Sequence, residues 1–138
     1  MKNIGIWIVV AVVVVGGIYL YMSQSGGSSQ SIVVAMSAQN DSGMTGEATL
    51  TAMDGSTLVE LDLAGAPEGI VQPAHIHTGS CANIGGVVYP LTFPMNGVSE
   101  TTLNVSLDAL LAQLPLALNV HKSPEEANIY VACGDLTQ

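Results

Sequence analysis

The stretch Pro73-Ala74-His75-Ile76-His77-Thr78-Gly79-Ser80-Cys81 holds two of the three histidines and one of the two cysteines of this 138-residue chain. Successive side chains of a β-strand point to opposite faces, so His75 and His77 would project from one side, about 7 Å apart, and Ile76 from the other. If a neighbouring strand carries His121, three imidazoles converge, and neutral imidazole suits copper, zinc, nickel and iron. The alternative is that these histidines are ordinary surface or core residues.

The only two cysteines, Cys81 and Cys133, lie far apart in the sequence. In an exported domain two cysteines predict a disulfide more readily than two free thiols. Closing a loop of roughly 50 residues would stabilise the fold by about 4 kcal/mol in the chain-entropy model. The alternative, that both cysteines bind metal, is weaker because thiolates survive poorly outside the cytoplasm and the spacing matches no compact zinc motif.

An uncharged apolar run of 18 residues, Ile4 to Tyr21, follows Lys2 at the N-terminus. As a helix it would be about 27 Å long, so residues 1–22 are predicted to form a transmembrane anchor. A cleaved signal peptide is the alternative, but no Ala-x-Ala-like site follows the run. Lys2 places the short N-terminal side in the cytoplasm and the remainder outside.

A polar segment, SQSGGSSQS at residues 23–31, reads as a flexible linker with a reach of roughly 15 to 18 Å. The sequence thus predicts a single-pass protein of the cell membrane. Its expected partner is the lipid bilayer, which the N-terminal helix would contact, and its domain, residues 32–138, is expected outside the cytoplasm. No protein partner or oligomeric state follows from the sequence.

The charge of the domain is strongly negative. All 11 acidic residues lie beyond Ser31, whereas Lys122 is the single base there. A surface of this kind excludes nucleic acid as a partner. Its ordinary role is solubility at the cell surface.

Short alternating segments with turn residues between them predict an all-β domain, a Greek-key sandwich or barrel. A single helix is predicted over Ser106–Leu114, with Ser106 as its N-cap, and a loop is predicted over Gly79–Gly86. The predicted strands are Ile32–Ala38, Glu47–Ala52, Thr57–Leu63, Ala74–Thr78, Val87–Leu91, Thr101–Val105, Leu116–His121 and Asn128–Cys133.

The order of these motifs resembles the copper-zinc superoxide dismutase family and the related chordin-type CHRD domain, over roughly Ile32 to Leu136. Ala74-His75-Ile76-His77 is similar to the dismutase strand that supplies two copper ligands, and Val120-His121 is similar to the strand that supplies another. The resemblance implies copper ligands at His75, His77 and His121, and an intrasubunit disulfide between Cys81 and the Cys133 of Val131-Ala132-Cys133-Gly134. The CHRD likeness rests on Ala-His-Ile-His followed by Gly86-Val87-Val88 and Leu91, and on Leu118-Asn119-Val120-His121.

Departures from the dismutase pattern limit the activity that this resemblance implies. No histidine lies between His77 and His121, so the zinc site has no counterpart, and the chain contains no arginine. Tyr130 stands where the dismutases carry the cation that guides superoxide. The acidic domain would repel an anionic substrate, and Lys122 is the one residue that could reverse this by steering.

Three functions are consistent with these residues, and none of them requires a catalytic side chain that the sequence identifies. The first is an anchored copper-binding domain with weak or no dismutase activity, in which Met36, Met44, Met53 or Met95 either adds a soft ligand or is an ordinary methionine. The second is a non-enzymatic CHRD-like module for adhesion or assembly at the cell surface. The third is copper storage or handover through the same three histidines.

Overall fold

The computed structural model describes the backbone of residues 8–14 and 17–23 and the whole of residues 29–138. In this part of the chain there are ten strands and one short helix. They are β1 Ile8–Val14, β2 Gly17–Ser23, β3 Ser31–Ala38, β4 Thr45–Ala52, β5 Thr57–Ala64, β6 Ala74–Ser80, β7 Asn83–Pro90, β8 Val98–Leu103, α1 Leu107–Leu111, β9 Leu116–His121 and β10 Tyr130–Leu136.

The N-terminal apolar run does not have the predicted helical form where it is described. β1 and β2 pair with each other, antiparallel, as a sheet of two strands. The physical reason lies in their β-branched valines and isoleucines, which lose rotamer freedom in a helix and suit extended backbone. Within residues 8–14, 17–23 and 29–138, no helix is long and apolar enough to cross a membrane. The rest of the predicted anchor over residues 1–22, and most of the linker predicted at residues 23–31, lie outside the described residues.

The domain is one antiparallel sheet of eight strands in the order β7-β6-β9-β10-β3-β4-β5-β8. The late strands β9 and β10 lie between β6 and β3, so the first and last strands of the domain are neighbours. The sheet curls into a half-barrel whose edges are β7 and β8, which confirms the all-β prediction. The sequence predicted a Greek-key sandwich or barrel, and the structure has a single curled sheet in the form of a half-barrel.

The core fills the concave side of this sheet. Inward side chains from both halves of the sheet, such as Leu50, Leu61, Ile76 and Leu118, belong to one buried cluster. The helix α1 adds Leu107 and Leu110 to that cluster, and the Ser106 hydroxyl accepts a hydrogen bond from the Ala109 amide as the predicted N-cap. The helix ends at Leu111, three residues earlier than predicted, and the chain continues through a turn to Pro115.

The predicted loop Gly79–Gly86 is largely wrong, because β7 begins at Asn83 and pairs with β6 from Ser80 onward. Glycine permits this pairing: a Cβ at Gly85 would collide with the Thr78 hydroxyl, so only glycine allows the two strands to approach so closely. The remaining differences are shifts of strand ends, as β8 begins three residues before the predicted Thr101 and β10 ends at Leu136.

Candidate metal centre

The three histidines lie on the convex, outer face of β6 and β9. Ile76 points into the core and is fully buried, so His75 and His77 point the other way. In the pairing of the two strands His75 is opposite Asn119. His121 ends β9, where its amide donates to the Pro73 carbonyl at 2.8 Å. The alternation of a strand and the register between two strands therefore place all three imidazoles side by side.

The imidazoles converge closely enough to hold one metal ion. His75 Nδ1 lies 3.0 Å from His121 Nε2, and one nitrogen from each of the three rings lies within 4.8 Å of the other two. His77 and His121 are 5% and 6% exposed, whereas His75 is half-buried. The convergence predicted from the sequence is confirmed.

Two backbone carbonyls fix the tautomers of the rings. His77 Nδ1 lies 3.1 Å from the Gly85 carbonyl oxygen, and His121 Nδ1 contacts the Ala127 carbonyl oxygen. A carbonyl oxygen only accepts, so each Nδ1 carries the hydrogen and each Nε2 keeps a lone pair. This is the arrangement by which metal-binding histidines are commonly oriented from behind.

The lone pairs left by this arrangement are suited to binding a metal ion. His77 Nε2 is buried and has no hydrogen-bond partner. His121 Nε2 accepts from His75 Nδ1. If His75 carried its hydrogen on Nε2 instead, Nδ1 of His75 and Nε2 of the other two rings would all be available to a metal ion. The donor set therefore fits a metal that prefers imidazole nitrogen.

The electrostatics of the cluster favour the neutral form of His75 and of His121. Burial lowers the pKa of His75, and the neighbouring His121 and His77 lower it further. Burial also lowers the pKa of His121, against an opposing effect of its hydrogen bond to the Ala127 carbonyl. Neutral imidazole is the form that binds metal, so protons compete weakly for these nitrogens.

The turn between β6 and β7 covers the outer face beside the histidines. Cys81, in this turn, forms a disulfide with Cys133 of β10, with a Cα–Cα distance of 5.9 Å, which confirms the predicted pairing. The Cys81 amide also donates to Asp135 Oδ1 at 2.7 Å. Asn119, opposite Cys133 in the sheet, is fully buried, and neither its oxygen nor its nitrogen has a partner.

Two aromatic rings flank the cluster. Tyr130, noted in the sequence for its position, packs edge-on against His121 with ring centroids 5.0 Å apart. Phe93 packs edge-on against His75 at 6.2 Å. Sequence reasoning missed Phe93, and its only distinguishing mark is that it is the single phenylalanine of the chain.

Other predicted site residues have ordinary structural contacts. Lys122, considered as a steering cation, forms an ion pair with Glu126, Nζ to Oε2 at 2.9 Å, with both side chains about half exposed. Met36 and Met44 are core residues, whereas Met53 and Met95 are exposed.

Comparison with known proteins finds one family. The model of a family described as the CHRD domain matches residues 27–127, a range that contains all three histidines and Cys81 and ends before Cys133. No curated protein and no solved structure matches the chain. The dismutase side of the resemblance gains no support from these comparisons.

Proposed function

The chain belongs to the CHRD domain family, and on this premise we propose that it is a non-enzymatic binding module of the cell surface. It acts in adhesion or assembly, and its N-terminal apolar segment holds it at the membrane with the domain outside. The family match over most of the domain is the observation that carries this proposal.

The charge around the histidines supports a binding role over turnover of an anionic substrate. Lys122 is the only base beyond Ser31, and Glu126 neutralises it at 2.9 Å. A field dominated by carboxylates slows the approach of an anion such as superoxide, whereas fast dismutation needs that anion to be attracted.

The enzymatic alternative is tested by the rate at which the copper-loaded full chain consumes superoxide. We expect a rate far below the diffusion limit of about 10⁸–10⁹ M⁻¹s⁻¹, and we expect it to rise as salt screens the acidic field. Glu126→Gln, which releases Lys122 from its ion pair, is the matched variant and should raise the rate slightly. A rate near the limit that falls with salt and collapses in Lys122→Ala would make this protein a steered dismutase.

The three histidines lie at the end of the sheet opposite to the one where the predicted linker enters the domain. Ser31, where the linker enters, pairs with Thr51 at one end of the sheet. The opposite end of β3 pairs with β10 through Ala38 and Ala132, close to the pairing of Tyr130 with His121. The eight residues of β3 span roughly 25 Å, so an anchored domain would present the histidines away from the bilayer.

The predicted location is testable with the two lysines of the chain. A membrane-impermeant amine reagent applied to intact cells should modify Lys122 and leave Lys2 unmodified. Lysed cells, in which both lysines become accessible, provide the control. Modification of neither lysine in intact cells would show that the domain is not outside.

A second function, copper binding, is favoured by one specific observation. His77 has a buried Nε2 without a partner and an Nδ1 held by a carbonyl, so an orphaned lone pair is oriented toward His121 and His75. These three histidines would hold the ion. Copper bound there would supply one-electron redox chemistry, or it would be stored and handed over to another protein.

The chain itself would orient the ligands through Gly85 and Ala127 and would limit solvent access through Phe93 and Tyr130. The test is metal analysis of the full chain recovered from its native envelope. About one copper per chain is expected, and a metal-free protein that also fails to take up copper when it is offered would end this proposal.

A further inference from the structure

Five exposed apolar side chains gather where two loops of the domain meet. Val71, between β5 and β6, forms a bridge with Met95, between β7 and β8, and Met95 forms a second bridge with Val98. Residues opposite each other in such bridges place their side chains on one side, about 5 Å apart. We call Ile70, Val71, Phe93, Met95 and Val98, which are 36–60% exposed, the bridge patch.

The backbone beneath the bridge patch is held by several cross-links. The Gln72 amide donates to the Pro94 carbonyl at 3.0 Å, and Met95 and Val98 exchange both of their hydrogen bonds at 3.2 Å. The Gly69 amide donates to Asn96 Oδ1 at 2.9 Å. A partner that binds here would therefore order little backbone, and adjacent exposed apolar side chains commonly mark an interaction site.

Four carboxylates on the outer sheet face adjoin the bridge patch. Glu47 of β4 is opposite Asp62 of β5, and Glu60 of β5 is opposite Glu100 of β8. All four are exposed, and Asp62 is in turn opposite Val98 of the bridge patch. We call these four residues the acidic face.

The acidic face carries an energetic cost that the described residues do not offset. Like charges directly opposite one another destabilise a sheet, and the one base of residues 29–138, Lys122, is already paired with Glu126. The carboxylates are also not a compact metal site, because the three histidines form the one group that lies close enough for an ion in the described residues. A cation from outside the chain is therefore the natural complement.

We propose that the bridge patch and the acidic face form one docking surface for a basic, amphipathic segment of a partner protein. The partner's apolar side chains cover Val71, Met95 and Val98, and its lysines or arginines lie over Glu60, Asp62 and Glu100. This names the partner class of the cell-surface module proposed above and rests on that proposal. Charge complementarity selects the basic partner over a second copy of this chain, whose own surface is acidic.

The test uses the full chain and three fluorescent octapeptides, with binding followed by fluorescence anisotropy. The peptide (Lys-Leu)₄ carries both required features, (Lys-Ser)₄ lacks the apolar side chains and (Glu-Leu)₄ reverses the charge. We expect (Lys-Leu)₄ to bind at least tenfold more tightly than either of the others. Its affinity should fall severalfold between about 50 and 300 mM salt, as the charges are screened.

Variants locate the binding on the surface. Met95→Gln with Val98→Thr should weaken (Lys-Leu)₄ binding about tenfold, and Glu60→Gln with Glu100→Gln should weaken it severalfold and flatten its salt dependence. Met53→Gln with Asp54→Asn is the matched control, because it changes an exposed methionine and an aspartate in the turn between β4 and β5. This control should bind like the parent chain.

The proposal would be overturned by equal binding of (Lys-Ser)₄, by an equal loss in the control variant, or by stoichiometric Ca²⁺ binding at the four carboxylates that displaces the peptide. A dimer of the chain that dissociates in the bridge-patch variant would also overturn it, in favour of a second copy. If these peptide tests fail while the impermeant reagent still modifies Lys122 in intact cells, only the basic, amphipathic partner is ruled out. The proposed cell-surface module would then stand. His77→Ala should lose copper and keep peptide binding, which separates the docking surface from the metal centre.

Discussion

Strands β9 and β5 belong to the same sheet but differ in how many of their faces are covered. All six residues of β9 are buried, whereas β5 alternates, with Val59, Leu61 and Leu63 buried and Glu60 and Asp62 exposed. The inner faces of both strands join one core. The outer face of β9 is covered by the disulfide-linked turn after β6, and the outer face of β5 is open to solvent. The difference between the two regions is therefore made by what lies over the sheet.

A covered outer face would ordinarily be apolar, because burying polar groups without partners costs about 1–3 kcal/mol each. In the described residues, three of the five buried side-chain atoms without partners belong to His77 and Asn119, on β6 and β9. The outer face of β9 thus retains polar groups at a cost to stability. This is typical of a site that binds something.

Removing the disulfide would test how far the cover over β9 depends on a covalent link. The double variant Cys81→Ala, Cys133→Ala should lose about 4 kcal/mol of unfolding free energy, because the unfolded chain regains the freedom of a loop of roughly 50 residues. Urea denaturation measures the loss. Titration of the oxidised, denatured parent chain should find no free thiols, and two titratable thiols would show the pairing to be absent.

Removing one imidazole would test whether the polar outer face is a metal centre. His75→Ala or His77→Ala should weaken copper binding from sub-micromolar affinity by about 100-fold or more, roughly 2.7 kcal/mol. Isothermal titration with copper measures the affinity. Glu60→Gln, on the open face of β5, is the control for adventitious binding by carboxylates. Stoichiometric copper in a variant that lacks all three histidines would contradict the assignment.

Acid should destabilise the metal-free protein through the covered face. The folded-state pKa values of His75 and His121 are lowered, so below pH 6.5 the unfolded chain binds more protons than the folded one. The contribution of these rings to stability is therefore fully present above pH 6.5 and is lost as the pH falls through their folded pKa values.

Melting temperatures between pH 7.5 and 5 should fall in the parent chain. They should fall less in a variant with His75→Gln and His121→Gln. An equal decline in both proteins would show that the acid response comes from other groups, such as the carboxylates.

The smallest effect is expected on the open face of β5 and β8. Glu100→Lys would replace the repulsion between Glu60 and Glu100 by attraction and should raise the free energy of unfolding by about 0.2–1 kcal/mol, with a smaller gain at high salt. Thr102→Lys on the same strand, opposite Leu58, is the matched control. A destabilising Glu100→Lys would indicate that these carboxylates have a native partner within the protein.

Much of the site followed from local sequence. The alternation in Ala74-His75-Ile76-His77 places both histidines on one face in any strand, and the pairing of two cysteines in an exported domain is a strong expectation. The all-β class followed from the turn residues between short alternating segments. The alternation of Thr57–Leu63 likewise matches a strand with one buried face.

Local sequence is ambiguous where the same residues suit two kinds of backbone. The Val-rich run over Ile4–Tyr21 suits a membrane helix by length and apolar character, and a strand by its β-branched side chains, so composition alone leaves its form open. Gly85 and Gly86 predicted a loop, because glycine is common in turns. Here glycine serves the close approach of β7 to β6, which depends on the position of Thr78.

Local sequence is enough to establish which side chains alternate, where the chain turns and which residue types could bind metal or close a disulfide, because these properties depend on near neighbours. The tertiary structure alone decided that β9 lies between β6 and β10, that Gly85 and Ala127 orient the rings, and that Val71, Met95 and Val98 meet beside four carboxylates. Each of these depends on the register between strands distant in sequence. That register is set by packing both halves of the curled sheet around one core, and no local pattern records it.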